Sequence, residues 1–475
     1  MRCKPLVRWV ALVAVLALAV AACGGDDDSA TGSGGGGGGG NASDLPECPL
    51  DALESADKPV EITMWHAMTR ANEEELVRLT EAFNASQQDV RVTLSAAPSY
   101  QDNLTRYRAG LSTGELPDLM QPDETALQYM IDSASVLPAQ SCIDADDYDT
   151  SDHVPRVVNY YTVGEVLWPM PFNVSNPVLY YNKAAFARAG LDPEAPPQTL
   201  EEVRAASQQI VDSGANPYGM AFKTDAWFFE HWVAKSGALY VDNENGRAER
   251  ATAVAFDDET GTELFAWVKD MVDDGLILST GNADIDHYLA IGNEQAAMTI
   301  DTSAALGTIS QILGQGQFAA VELGVGPMPG PDSPDGGVLV GGAALYIVNQ
   351  SAAEKQAAAY EFTKYLNEAQ VQAEWAAATG YLPIRQSSTT LSPLVERWTE
   401  QPYYKIAYDQ LLTGAENAAT AGPVIGPYGG QGEGVRGAVI DGVQGMLTEG
   451  TSAEDAIQQA AEGANAAIAD YNSRF

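Results

Sequence analysis

Arg436 stands in Gly432-Glu433-Gly434-Val435-Arg436-Gly437, a run with GxGxxG spacing, and the chemistry it offers is anion recognition. A glycine-rich loop that enters a helix exposes backbone N–H groups, and a guanidinium adds a planar two-pronged donor matched to phosphate or carboxylate. The run follows Gly-Pro-Tyr-Gly-Gly rather than a strand and lies near the chain end, which argues against a dinucleotide site. The plainer reading is that Arg436 pairs with one of the 65 acidic side chains. Catalytic signals are sparse. His66, His153, His231 and His287 are scattered, neither HExxH nor GxSxG occurs, and no carboxylate pair stands out as an acid and base. These residues leave an enzyme unsupported, and no catalytic residue, cofactor or metal site is expected.

The cysteines carry different chemistry. Arg2, Lys4 and Arg8 precede the apolar run Trp9 to Val20, and Val20-Ala21-Ala22-Cys23 closes it with small residues before a cysteine. This pattern predicts a signal peptide over 1–22 and a lipobox, with Cys23 lipidated and the mature chain tethered to the outer face of a bacterial cell membrane. The apolar run is shorter than the roughly 20 residues a membrane span needs. Residues 23–47 contain Asp26-Asp27-Asp28 and Gly34 to Gly40, a composition that cannot bury a core and predicts a flexible leash. With Cys3 lost in the signal and Cys23 lipidated, Cys48 and Cys142 remain. Outside the cytoplasm such a pair is expected to be a disulfide, pinning the end of the leash to the first lobe. Neither lies in a CxxC motif, so zinc is not suggested.

These side chains need a scaffold of matching size. Beyond the leash about 430 residues remain, too many for one ordinary core and suited to two large lobes. The formal charge of −40 would repel nucleic acid and anionic lipid at long range. Strand and helix periods alternate. Val60, Ile62 and Met64 alternate with polar residues, Leu76, Leu79 and Phe83 recur at helical spacing, and Val90, Val92 and Leu94 alternate again, giving a βαβ unit. Leu104, Tyr107 and Leu111 predict a helix ending at Gly114, and Thr199 to Glu202 reads as a capping box ahead of Leu200, Val203 and Ile210. Near the C-terminus, Val439, Val443 and Met446 form one helical stripe, and Ile457, Ala461, Ala464 and Ile468 another, the second behind a Ser452 to Asp455 cap. The class is α/β.

Five stretches carry a resemblance: Met64-Trp65-His66-Ala67-Met68; Pro171-Phe172-Asn173 continuing to Pro177-Val178-Leu179-Tyr180-Tyr181-Asn182-Lys183; Gly190-Leu191-Asp192-Pro193; Gly341-Gly342-Ala343; and Thr379-Gly380-Tyr381-Leu382-Pro383-Ile384. From about residue 60 to residue 470 the chain resembles the extracellular solute-binding proteins of ABC importers. The Trp-His and Pro-Phe-Asn runs point to the branch that binds sn-glycerol 3-phosphate and glycerophosphodiesters. The resemblance implies a two-lobed periplasmic-binding-protein-like fold with a hinge and an interlobe cleft. Lobe one is expected at 49–174 plus 343–388, and lobe two at 175–342 plus 389–475. It implies that Tyr100 and Glu124 meet glycerol hydroxyls and that Ser175, Gly342, Tyr381 and Arg436 surround the phosphate, with Thr302 or Ser303 supplying a hydroxyl. The chain departs from the pattern at Lys223 to Trp232. Phosphoglycerol binders line the cleft there with two tryptophans, whereas here Trp227 and Trp232 lie among Phe222, Phe228 and Phe229, and Trp227 is the candidate for stacking on ligand. The expected partners are a phosphoglycerol compound and ABC permease subunits, with the receptor itself a monomer. The rival classes are a sugar or oligosaccharide binder of the same fold, which would gain little from Arg436, and an extracellular hydrolase.

Overall fold

A computed structural model describes residues 45–281, 285–314, 318, 321–333, 335–429 and 433–475. The signal segment, Cys23, most of the leash and Gly432 lie outside them.

Two sheets organise the chain. In the first, Val90–Ala96, Val60–His66, Leu119–Met120, Gly341–Val348 and Val136–Leu137 lie side by side, with Met170–Ser175 also paired to Gly341–Val348. Val60–His66 and Val90–Ala96 run parallel from Val60↔Val90 to His66↔Ala96. Helix Arg70–Ser86 connects them and buries Leu76, Leu79 and Phe83. The second sheet runs Ile277–Ser279, Tyr218–Phe222, Ala296–Thr302, Pro177–Asn182 and Leu323–Pro327. Its first three strands are parallel, and Pro177–Asn182 is antiparallel to both neighbours.

The chain passes from one sheet to the other at Ser175-Asn176-Pro177 and returns between Pro327 and Gly341. At the return, Gly341 pairs with Ser175 and Gly342 with Val174. Gly342 has φ +100°, and a Cβ there would sit 2.0 Å from the Asn173 carbonyl oxygen, so no other residue fits. This is a two-lobed α/β architecture with crossing segments between lobes.

Local signals are realised where expected. Ser99 caps helix Tyr100–Thr113, which stops at Gly114 with φ +78°. Thr199 and Glu202 form a reciprocal capping box on helix Leu200–Ser213. The C-terminal helices Gly434–Thr448 and Ala453–Asn472 bury both apolar stripes, the second helix beginning at the Ser452 cap. One core cluster centres on the first sheet and another on the second. The first also takes in Leu306, Ile309 and Leu313, which follow strand Ala296–Thr302 of the second sheet, and, from further on, Tyr404, Tyr408 and Leu411, so apolar packing continues from one sheet to the other. Gly307 lies close against the helix Ala369–Thr379: a Cβ on it would come 2.7 Å from the Ala378 oxygen.

Cys48 and Cys142 form a disulfide with Cα atoms 4.9 Å apart. It ties the segment that follows the leash to helix Ala139–Ala145. Among the described residues no helix is long and apolar enough to cross a membrane.

Candidate ligand site between the lobes

A cleft of about 440 Å³ is lined by Met68, Tyr100 and Tyr381 on one side and by Lys223, Asp301 and Thr302 on the other. A buried relay positions the tyrosines. Gln121 donates to Asn173 Oδ1 (2.9 Å), Asn173 Nδ2 donates to the Tyr100 hydroxyl (3.0 Å), and that hydroxyl lies 3.4 Å from the hydroxyl of Tyr381. Tyr381 stacks on Trp375 with ring centroids 5.4 Å apart. Burial raises the pKa of both phenols, so each keeps its proton and can donate to a ligand oxygen.

Across the cleft, Asp301 accepts from His287 Nε2 (2.7 Å), the Tyr288 hydroxyl and the Thr302 N–H (2.7 Å). Burial pushes its carboxyl up, but the Lys223 charge and the His287 and Tyr288 hydrogen bonds outweigh this and hold it well below the usual carboxylate range. Lys223 also lies 3.1 Å from Asp225. Thr302 is half-buried and faces the cleft, with its Oγ1 accepting from Ala304 N–H (3.2 Å). Ser303 is fully buried, and its Oγ has no hydrogen-bond partner among the described residues.

Arg436 lies in the first turn of helix Gly434–Thr448. Its Nε and Nη2 donate to the two oxygens of Glu230, each at 2.7 Å. Nη2 also reaches Glu124 at 2.9 Å, and Nη1 lies 3.9 Å from Asp123. The guanidinium sits 4.9 Å from the Tyr428 ring centre. Side-chain exposure is 1% for Glu230, 7% for Glu124 and 12% for Arg436, so this is a buried ion cluster. Burial pushes Glu124 up to about 8 despite Arg436, with Asp123 adding to the rise. Burial likewise raises Glu230 and Asp123. Glu230 and Arg436 lie on helices packed into the core of the second sheet and Glu124 beside the core of the first, so Arg436–Glu124 links the two cores. Arg250 and Tyr471 make a second such connection to Asp132, at 2.7 to 2.8 Å.

The structure therefore brings Tyr100 to Tyr381 and Glu124 to Arg436, places Thr302 on the cleft, and sets Ser175 and Gly342 in paired strands at the crossing. It also engages the Arg436 fork with Glu230, which sequence reasoning did not single out. Asn173, Lys223 and Asp301 were missed in the same way. The one available signal for Glu230 was a carboxylate inside the apolar run Ala226–Lys235. Trp232, Phe222, Phe228 and Phe229 are core residues, with Trp232 stacked on Phe222 and donating to the Pro329 oxygen at 3.1 Å. Trp227 is half-buried, packed edge-on to His231 with its indole against Gly341.

His66, part of the resemblance, is structural. It is buried at the end of Val60–His66, and its Nδ1 accepts from the Met68 N–H at 3.2 Å. Burial pushes its pKa down to about 4, so it is neutral in the fold and takes up a proton more readily when unfolded. Stability associated with it is present above about pH 6.5 and is lost as pH falls towards 4. His66→Asn keeps an acceptor for Met68 and removes the titration. Urea unfolding at pH 7.5 and pH 4.5 should show a smaller acid loss in the variant than in the parent; equal losses would clear His66 of the effect.

Two lobes joined by crossing segments, with polar side chains converging on one cleft, are the architecture of a solute receptor. The chain matches the model of the bacterial extracellular solute-binding proteins over residues 78–402 and belongs to that family. The sn-glycerol-3-phosphate-binding periplasmic protein UgpB of Rhizobium meliloti (strain 1021) is 28% identical over 426 residues, covering 87% of this chain and 95% of the relative. UgpB of Yersinia pestis bv. Antiqua (strain Antiqua) is 30% identical over 361 residues, covering 74% and 80%. Among solved structures, UgpB from Mycobacterium tuberculosis in complex with glycerophosphocholine superposes with TM-score 0.71 at 20% identity, covering 87% of this chain and 99% of the other. The cyclic alpha-maltosyl-1,6-maltose binding protein from Arthrobacter globiformis gives 0.67 at 25%, covering 87% and 100%.

Proposed function

We propose that the protein is the lipid-anchored, monomeric receptor of an ABC importer, capturing sn-glycerol 3-phosphate or glycerophosphodiesters such as glycerophosphocholine and passing them to permease subunits without covalent chemistry. The observation that carries this is the cleft with hydroxyl donors from both lobes, Tyr100 and Tyr381 on one and Thr302 on the other. The chemical class draws its support from the UgpB relatives at 28% and 30% identity. In this reading Glu124 accepts from glycerol hydroxyls, Ser175, Gly342, Tyr381 and Arg436 surround the phosphate, Thr302 and Ser303 add hydroxyls, and Trp227 meets the far end of the ligand.

Contacts made only when both lobes touch the ligand stabilise the closed state by the ligand's differential affinity for it, and closure is the signal a permease can read. Tyr100→Phe removes a donor and one of the two hydroxyls beside Asn173, so ligand affinity should fall by roughly tenfold, the worth of one buried hydrogen bond. A calorimetric titration that shows no change would remove Tyr100 from the site. The anchor is tested separately, since Cys23→Ala should abolish fatty-acid labelling of the expressed protein.

A sugar or oligosaccharide is the second reading, favoured by the engagement of Arg436 with Glu230 and Glu124. A thermal-shift screen with sn-glycerol 3-phosphate, glycerophosphocholine and maltose separates the two. Stabilisation by a phosphoglycerol compound supports the proposal, stabilisation by maltose alone replaces it, and release of product from glycerophosphocholine would make the protein an enzyme.

A further inference from the structure

We propose that Asp301 and Lys223 form a subsite for a vicinal diol, the carboxylate accepting from one hydroxyl of the ligand and the ammonium donating to its neighbour. This rests on the reading of the cleft as the ligand site, and it names the part of the ligand that meets the wall built by the second sheet.

The sheet brings the two side chains together. Strands Tyr218–Phe222 and Ala296–Thr302 run parallel, with Ala296 opposite Tyr218 and Met298 opposite Met220. The same register continued to the strand ends sets Asp301 opposite Lys223, and the carboxyl ends of parallel strands are where α/β sheets receive ligands. Both residues line the cleft, together with Asp225, Tyr288 and Thr302. Asp225 positions the lysine. It accepts from the Trp227 N–H at 3.1 Å, capping helix Ala226–Lys235, and its Oδ2 lies 3.1 Å from Lys223 Nζ.

The acceptor capacity of Asp301 decides what fits. Its Oδ2 accepts from both His287 and Tyr288, whereas Oδ1 accepts only from the Thr302 N–H among the described residues. A carboxylate offers about four lone-pair sites, which leaves Oδ1 room for a further donor. The Lys223 charge and the bonds from His287 and Tyr288 keep this carboxyl ionised in spite of its burial. At pH 7.5 the phosphate oxygens of a glycerol phosphate or a diester accept but do not donate, so they match Lys223 and not Asp301. A hydroxyl does both. Two on adjacent carbons span an acceptor and a donor set side by side, as the free glycerol diol of sn-glycerol 3-phosphate or glycerophosphocholine does, and as adjacent sugar hydroxyls do. Arg70, donor only, lines the same cleft and suits anionic oxygens. Glu124, the acceptor expected for glycerol hydroxyls, is bonded to Arg436 at 2.9 Å, so Asp301 supplies an acceptor that Arg436 does not engage.

The test is calorimetric titration at pH 7.5 of the mature protein, Lys223→Met and Asp301→Asn with sn-glycerol 3-phosphate and with 3-hydroxypropyl phosphate, which lacks only the 2-hydroxyl. The parent should bind the diol at least tenfold more tightly, because a site built to bond a hydroxyl rejects the analogue without it. Each variant should shrink that ratio by roughly tenfold, chiefly by losing affinity for the diol. Equal affinities in the parent overturn the inference, a comparison that stands even if Asp301→Asn does not fold. If Lys223→Met weakens both compounds equally, the lysine serves the phosphate, and the inference is overturned too. Should maltose bind and neither phosphate compound do so, the phosphoglycerol reading falls. The diol subsite then survives only if Lys223→Met weakens maltose at least tenfold, and unchanged maltose affinity overturns it as well.

Discussion

Arg436→Ala is expected to cost about 3 to 5 kcal/mol of stability at pH 8, the usual effect of removing one partner of a buried ion pair. The cost arises because Glu230, with 1% side-chain exposure, and Glu124, with 7%, lose the cation that compensates their burial. The sign of the pH dependence follows. Without Arg436 the opposing effect of burial acts alone on both carboxylates, so their pKa values in the fold rise further above the unfolded values. A carboxyl with a raised pKa contributes stability that is greatest at low pH and is lost as pH rises through the folded value. The defect should therefore shrink on acidification towards pH 5.5, which urea unfolding at the two pH values would show. Arg436→Lys should recover part, because an ammonium keeps the charge but cannot reproduce the paired bonds to Glu230. A defect that is small and independent of pH would mean that the cluster is not an ionised pair.

Cys48→Ser with Cys142→Ser should lower stability by about 4 to 5 kcal/mol in the chain-entropy model, since the bond closes a long loop of the unfolded chain. The sequence separation is 94 residues. Both cysteines are buried, and beside them Leu50, Leu53 and Ala56 pack half-buried against the first core cluster. The bond contributes no residue to the cleft. Ligand affinity should stay within about twofold of the parent while the urea midpoint falls. Reduction of the parent protein should reproduce the shift, and a midpoint insensitive to both treatments would contradict the assigned role.

The contrast between these variants marks what could be read from the chain. The disulfide was reachable by elimination, and the βαβ unit and the helix caps by period and spacing. Arg436 was legible as a charged donor at a helix start, and its pairing with carboxylates was the plainer of the two readings offered for it. Its partner was not legible. Glu230 and Arg436 are 206 residues apart and Glu124 and Arg436 are 312, separations that no local pattern encodes. Helix Ala226–Lys235 is buried nearly all round, so it lacks the polar face whose position would have told which side chain points where. For the same reason no pattern stood behind the choice of Trp227 over Trp232, and the fold sets Trp227 half-buried against Gly341 and Trp232 in the core. Thr302 and Ser303 could not be separated either, because the strand Ala296–Thr302 gives way to a short 3-10 turn between them and alternation ends there.

The central claim is that a closing cleft takes a phosphoglycerol compound. Its most direct test is calorimetric titration of the mature parent protein with glycerophosphocholine, sn-glycerol 3-phosphate and maltose under one set of conditions. The account predicts saturable one-to-one binding of a phosphoglycerol compound and no heat of binding with maltose. Saturable binding of maltose, with none of either phosphoglycerol compound, would contradict it.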